Sequence, residues 1–138
     1  MARRMLRLTV FLAWGLLVAA GPVAAHHSMA MFEEDPAKRV TLKGAVVQWV
    51  WANPHCLLQV DVTDQAGKTT RWVVETSNPL DMTNRGWSRN SMKAGDPVAV
   101  TARPIKTGKP LGIVVQVQLA DGRILSTTNA PATAASRQ

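Results

Sequence analysis

Apolar and polar residues alternate over most of the segment from residue 38 to 125, a pattern typical of half-buried strands. Candidate strands cover residues 40–51, 55–62, 69–76, 97–103 and 112–119, and a short sixth strand is expected near Ile124. Turn sequences separate them, among them "NP" at 53–54 and "DQAG" at 64–67. The pattern therefore predicts a domain built mainly from β-strands.

One helix is predicted between the third and fourth strands. Asn78 is a suitable N-cap, Pro79 suits the first helical position, and Gly86 can end the helix. Three strands, a short helix and two or three further strands predict a small OB-like Greek-key barrel of five to six strands. A fragment of a β-sandwich is the alternative.

The turn at residues 64–67 predicts how the second and third strands pair. If residues 65–67 form a three-residue hairpin loop with a left-handed glycine, Asp61 lies opposite Arg71 and Leu57 lies opposite Glu75. Two side chains of opposite charge, Asp61 and Arg71, then lie opposite each other in the hairpin, which supports this register.

The same reasoning applied to the turn at residues 52–54 places Trp51 opposite His55, Trp49 opposite Leu57 and Val47 opposite Gln59. The outer face would then carry Trp49, Trp51, His55, Leu57, Val73 and Glu75. The barrel core would contain Val46, Leu58, Val60, Trp72 and Val74.

An exposed cluster of aromatic and apolar side chains indicates a binding surface. We expect Trp49, Trp51, Leu57 and Glu75 to contact a ligand, either a small molecule, a glycan or a protein. The alternative is that the helix or the N-terminal segment covers this face as a second core.

Residues 1–25 have the organisation of a secretory signal peptide. Arg3, Arg4 and Arg7 precede an apolar run at residues 8–20, and small residues lead to a cleavage site after Ala25. The run is shorter than the ~20 residues that a membrane span needs, so we expect a periplasmic or secreted protein without a stable membrane span after processing. An uncleaved anchor is the alternative.

The remaining chain divides into three parts. Residues 26–37 form a polar N-terminal segment, residues 38–125 the barrel domain, and residues 126–138 a small, polar tail that is predicted to be disordered.

The charge and the cysteine content limit which partners and which cross-links the protein can have. The net charge falls from +7 to +4 without the three arginines of the signal peptide, and the basic residues are scattered, so nucleic acid is not an expected partner. Cys56 is the single cysteine, which excludes an intrachain disulfide. We expect it to be buried, because a free cysteine behaves as a small apolar residue.

Three histidines suggest a metal site. Cleavage after Ala25 would make His26 the first residue, followed by His27, and would give His26 both a free amine and an imidazole. Together with His55 these nitrogen donors suit copper(II). Such a start resembles the histidine brace of secreted copper proteins, although those are immunoglobulin-like in fold. We expect copper as the metal and keep zinc as the alternative.

No catalytic motif accompanies these histidines. The sequence holds no G-x-S-x-G, phosphate loop, CxxC or HExxH. The sequence therefore favours a binding protein over an enzyme, with a copper redox enzyme as the alternative.

Several short blocks together resemble a known family. They are "HHS", "W.NPH", "W.VE", "RGW", "GD.V.V" and "DGR.L", spread over nearly all of residues 26–125. In combination they resemble a family of exported bacterial proteins catalogued as domain of unknown function 6152. The resemblance implies secretion and a small β-barrel, and it implies no activity. One departure is the basic turn at residues 106–108, where the family pattern suggests a more acidic one.

Overall fold

The computed structural model describes residues 29–128. The chain divides into two units at Met31, and the barrel belongs to the unit that begins at Phe32. Its elements are a 3₁₀ turn Pro36–Lys38 and the strands and helix β1 Val40–Val50, β2 Leu57–Thr63, β3 Thr69–Glu75, α1 Pro79–Asn84, β4 Pro97–Pro104, β5 Leu111–Leu119 and β6 Ile124–Ser126. The predicted mainly β architecture with one short helix is confirmed.

The strands close into a barrel. They lie in the order β3-β2-β1-β4-β5-β6, and a parallel pairing of β3 with β5 closes the first five strands. Strand β6 is an extra strand alongside β5. The topology is OB-like, as predicted, and it is not a fragment of a β-sandwich.

The core fills the inside of this barrel and continues beneath the helix. Leu58, Val60 and Val74 are fully buried, as predicted, while Trp72 is half-buried and packs against them. Helix α1 begins as predicted, because the Asn78 side chain accepts a hydrogen bond from the Asp81 amide at 3.0 Å. No helix within residues 29–128 is long and apolar enough to cross a membrane.

The predicted register of β2 and β3 is confirmed. Asp61 pairs with Arg71 and Leu57 with Glu75. The loop between the strands is held by Asp64, whose side chain accepts hydrogen bonds from two loop amides, and Gly67 has a left-handed φ of 81°. Gly67 fits this conformation because it has no Cβ.

The predicted register of β1 and β2 is wrong by one residue. Trp49 lies opposite Leu58 instead of Leu57, and Gln59 lies opposite Gln48 instead of Val47. The pairing shifts between Val46 and Gln48, which is a β-bulge, and a one-residue shift moves a side chain to the other face of the sheet. Trp49 is therefore on the core side of the barrel.

The connection between β1 and β2 differs from the tight turn that the sequence suggested. It spans residues 51–56 and includes a cis peptide bond between Asn53 and Pro54. Its end is fixed by Cys56, whose amide donates to the Ser77 carbonyl at 3.0 Å. We call this segment the β1–β2 connection.

Strand β1 pairs with two neighbouring strands. It pairs with β4 over Val40–Ala45 and with β2 over Ala45–Val50. Gly44 stands where the partners change, and a Cβ at this position would collide with the carbonyl of Asp61. The glycine therefore permits the close approach of the two strands.

The last strand ends at Ser126, one residue into the segment that was predicted as a tail. Beyond it the Thr127 amide donates to the Val115 carbonyl at 3.0 Å. Residues 129–138, which make up most of the predicted tail, lie outside the described residues.

Candidate functional site

The outer face of the barrel carries a row of half-buried apolar side chains that are separate from the core. Leu57 on β2 and Val73 on β3 alternate with the fully buried Leu58 and Val74. Neither Leu57 nor Val73 belongs to the side chains that pack against the core. They therefore point away from the barrel interior.

Strand β5 continues this row. The parallel pairing places Leu111 beside Val73 and Ile113 beside Glu75. Leu111 and Ile113 are also half-buried and absent from the core packing. We call these four side chains the outer strip: Leu57, Val73, Leu111 and Ile113.

A histidine and a carboxylate lie at one end of the outer strip. Glu75 is opposite Leu57, and its Oε2 is 3.6 Å from Nδ1 of His55. The side chains are 53% and 35% exposed, so both are reachable from solvent. The sequence predicted that His55 and Glu75 share one face, and the structure brings their side chains together.

An N-terminal stretch of the same unit borders the outer strip on the β4 side. Phe32 forms a bridge with Ile105, and the Glu33 amide donates to the Pro104 carbonyl at 2.9 Å. Arg103, which pairs with Ile113, donates from Nε to the Glu33 carbonyl at 2.8 Å and from Nη2 to Glu34 at 2.9 Å.

The tryptophans of the predicted site lie elsewhere. Trp49 and Trp51 are half-buried and pack against the core, with their ring centroids 5.7 Å apart. Trp49 also lies 5.7 Å from Trp87, which is 2% exposed. The expectation that Trp49 shares one face with Leu57 and Glu75 is therefore wrong, and the reason is the bulge in β1.

Hydrogen bonds fix two members of this tryptophan cluster. Trp49 Nε1 donates to the Ser88 carbonyl at 3.0 Å, and Trp87 Nε1 donates to the Ser126 carbonyl at 2.9 Å. Trp87 is a member of the buried core. Both indoles have the partner that a buried Trp N–H ordinarily needs.

Cys56 is fully buried, as predicted. Burial raises the pKa of its thiol, although hydrogen bonds from the Ala52 amide and the Thr76 hydroxyl act in the opposite direction. A raised pKa keeps the group as an unreactive thiol in neutral solution.

Only one of the three predicted metal ligands lies among the described residues. His26 and His27 lie outside the described residues, and His55 is the one predicted ligand that falls inside them. Within residues 29–128 no three His, Cys, Asp or Glu side chains are grouped so that they could hold a metal ion.

The sequence matches the profile of a protein family described as a family of unknown function, DUF6152. The match covers residues 13–116, which is more than half of the chain. It begins inside the predicted signal peptide and ends within β5. Comparisons with curated proteins and with solved structures found no significant match. The chain therefore belongs to the family of unknown function DUF6152.

Proposed function

We propose that the protein is an exported, non-enzymatic binding module that takes an amphiphilic small molecule on the outer strip. The observation that carries this proposal is the continuity between four half-buried apolar side chains and the His55–Glu75 pair. The apolar part of the ligand would cover the strip, and its polar group would contact His55 or Glu75.

The position of the strip in the fold supports this proposal. It lies on the outside of β2 and β3, between the β1–β2 connection and the loop that joins β4 to β5. OB-type barrels use this face and these two loops to bind ligands. Adjacent strands lie about 4.8 Å apart, so the side chains from three strands fall within the length of a small ligand.

Export is the second part of the proposal, and it rests on the sequence. A basic start, an apolar run at residues 8–20 and small residues before His26 are features of a cleaved signal peptide. N-terminal sequencing of the protein recovered outside the cytoplasm tests it, and an intact Met1 in that fraction would contradict cleavage.

Binding can be tested with the amphiphilic dye 1-anilinonaphthalene-8-sulfonate. The dye should bind the folded protein, and amide NMR shifts should be largest around Leu57 and Val73. Leu57→Lys should abolish binding, because it places a charge in the middle of the apolar row. Leu80→Lys is the matched control, since Leu80 is 74% exposed on α1. Equal dye binding by both variants, with unchanged thermal unfolding, would contradict the proposal.

A second candidate function is copper binding through His26, His27 and His55. One observation favours His55 as a ligand: its Nδ1 faces the Glu75 carboxylate, and its Nε2 has no hydrogen-bond partner within residues 29–128. Metal-binding histidines commonly interact with a carboxylate through the nitrogen that does not hold the metal. The contribution of His26 and His27 rests on the sequence alone.

Copper(II) titration of the processed protein tests this candidate. Binding should weaken as the pH falls below ~6.5, where free histidine becomes protonated. One additional residue before His26 should weaken binding, because the amine is displaced. His55→Ala should weaken it as well. Equal affinity in the processed and extended proteins would exclude the terminal amine as a ligand, and copper-dependent oxidation of a substrate would favour the redox enzyme.

A further inference from the structure

Trp51 differs from Trp49 and Trp87 in the hydrogen bonding of its indole N–H. Trp49 and Trp87 each donate the indole N–H to a backbone carbonyl. The Trp51 indole has no hydrogen-bond partner within residues 29–128, and its nitrogen is not among the buried unsatisfied atoms. Its N–H therefore reaches solvent and can donate to a ligand.

The ring of Trp51 is also held in place. Its edge packs against Trp49, with the ring planes inclined at 61°. The β1–β2 connection that contains Trp51 ends at the buried Cys56, whose amide donates to the Ser77 carbonyl at 3.0 Å. A half-exposed aromatic ring on a fixed backbone loses little conformational freedom when a ligand stacks on it.

Polar groups lie in two segments linked to this ring, the turn that binds its neighbour Trp49 and the chain that follows Trp51. Ser88, Arg89 and Asn90 are exposed and form a turn whose first carbonyl accepts the hydrogen bond from Trp49. Side chains order the turn, because the Ser88 amide donates to Ser91 Oγ at 2.8 Å and the Asn90 amide donates to Ser88 Oγ at 3.2 Å. Asn53 is exposed two residues after Trp51, in the β1–β2 connection.

We propose that Trp51 is the stacking platform of a glycan-binding site at the β1–β2 connection, separate from the outer strip. A sugar ring has an apolar face that can cover an indole and hydroxyl groups that can pair with the indole N–H, Asn53 and the Ser88–Asn90 turn. The first loop of OB-type barrels contacts oligosaccharides in other proteins of this architecture. A purely apolar ligand would leave these polar groups unpaired.

Arg89 determines which sugars fit best. It is exposed and makes no hydrogen bond or ion pair within residues 29–128. A guanidinium group recognises carboxylates through paired hydrogen bonds, so a glycan that contains uronic acids should bind more tightly than a neutral one.

The test uses two soluble hexasaccharides, neutral cellohexaose and acidic hexagalacturonate, titrated into the ¹⁵N-labelled protein. The indole N–H signal of Trp51 should shift, while the signal of Trp87 stays in place. Trp51→Ala should weaken binding by about tenfold or more, as expected for loss of a stacking contact. Trp72→Ala is the matched control, since Trp72 is half-buried on a different strand and should leave affinity unchanged.

The outcomes separate this site from the outer strip. Loss of glycan binding in Trp51→Ala, with dye binding at Leu57 retained, supports two sites. Arg89→Gln should reduce the preference for the acidic sugar and leave cellohexaose binding unchanged. Absence of binding by both sugars, or a shift of Trp72 in place of Trp51, would overturn the proposal. Folding of each variant is checked by its thermal unfolding curve.

Discussion

The barrel holds the tryptophan cluster and the outer strip in different ways. Trp49 and Trp87 pack against each other and donate hydrogen bonds to carbonyls of distant segments. Leu57 and Ile113 lie on the opposite side of the sheet and contribute nothing to the buried core. The first group is fixed by folding, whereas the second lies on the outer face of its strands and is partly exposed to solvent.

This difference separates stability from binding. Replacing a side chain in the interior removes buried apolar surface and leaves a cavity, so the folded state loses free energy. Replacing one on the outer strip changes a surface that is already partly hydrated, so stability changes little. Variants on the two sides of the same strands should therefore give opposite results in unfolding and binding experiments.

The largest effect is expected at Trp87. Trp87→Ala removes a side chain that is 2% exposed, together with its hydrogen bond to the Ser126 carbonyl. The free energy of unfolding should fall by about 3–5 kcal/mol, the usual cost of truncating a buried aromatic residue. Chemical denaturation measures it. A loss below about 1 kcal/mol would mean that Trp87 is not part of the buried core.

Substitutions at the adjacent residues Leu57 and Leu58 compare the outer strip with the buried core. Leu58 is fully buried, so Leu58→Ala should lower the free energy of unfolding by about 2–5 kcal/mol. Leu57→Ala should cost less than about 1 kcal/mol, because Leu57 lies on the outer strip. Equal losses measured by denaturation would show that the outer strip is a second core covered by another segment.

A smaller effect should distinguish Trp49 from Trp51. Trp49→Phe keeps an aromatic ring but removes the N–H that donates to the Ser88 carbonyl, and it should cost about 1 kcal/mol. Trp51→Phe removes an N–H that has no partner within the described chain, so stability should hardly change. Indole hydrogen exchange gives an independent measurement: the Trp51 N–H should exchange faster than those of Trp49 and Trp87.

The sequence predicted the strands and the barrel because local signals were strong there. Turn residues mark the β2–β3 loop, and the Asp61–Arg71 pair fixes its register, so Leu57 could be placed opposite Glu75. The helix ends also follow local chemistry, through Asn78 and Gly86. These parts depend on residues that lie close together in the chain.

The assembly of the site could not be predicted in the same way. The bulge near Val47 has no clear sequence signature, yet it moves Trp49 to the core side. Leu111 and Ile113 join the outer strip only through the parallel pairing of β3 with β5, which brings distant segments together. Arg103 was missed for a related reason, because its partners Glu33 and Glu34 lie far away in the sequence.

The smallest predicted effect concerns charge on the outer face. Hydrogen bonds from Arg71 lower the pKa of Asp61, which lies on the same side of β2 as Leu57. A carboxyl group with a lowered pKa in the folded state stabilises the fold above its unfolded pKa of about 3.9, and this contribution disappears as the pH falls through the lower folded value. Asp61→Asn should therefore reduce the thermal unfolding temperature slightly at pH 6, and the difference from the unmodified protein should vanish near pH 2.

In Arg71→Gln, NMR titration should show the pKa of Asp61 rising towards its ordinary value. An unchanged pKa in that variant would contradict the hydrogen-bonded pair, and with it the register that places Leu57, Asp61 and Glu75 on the outer face.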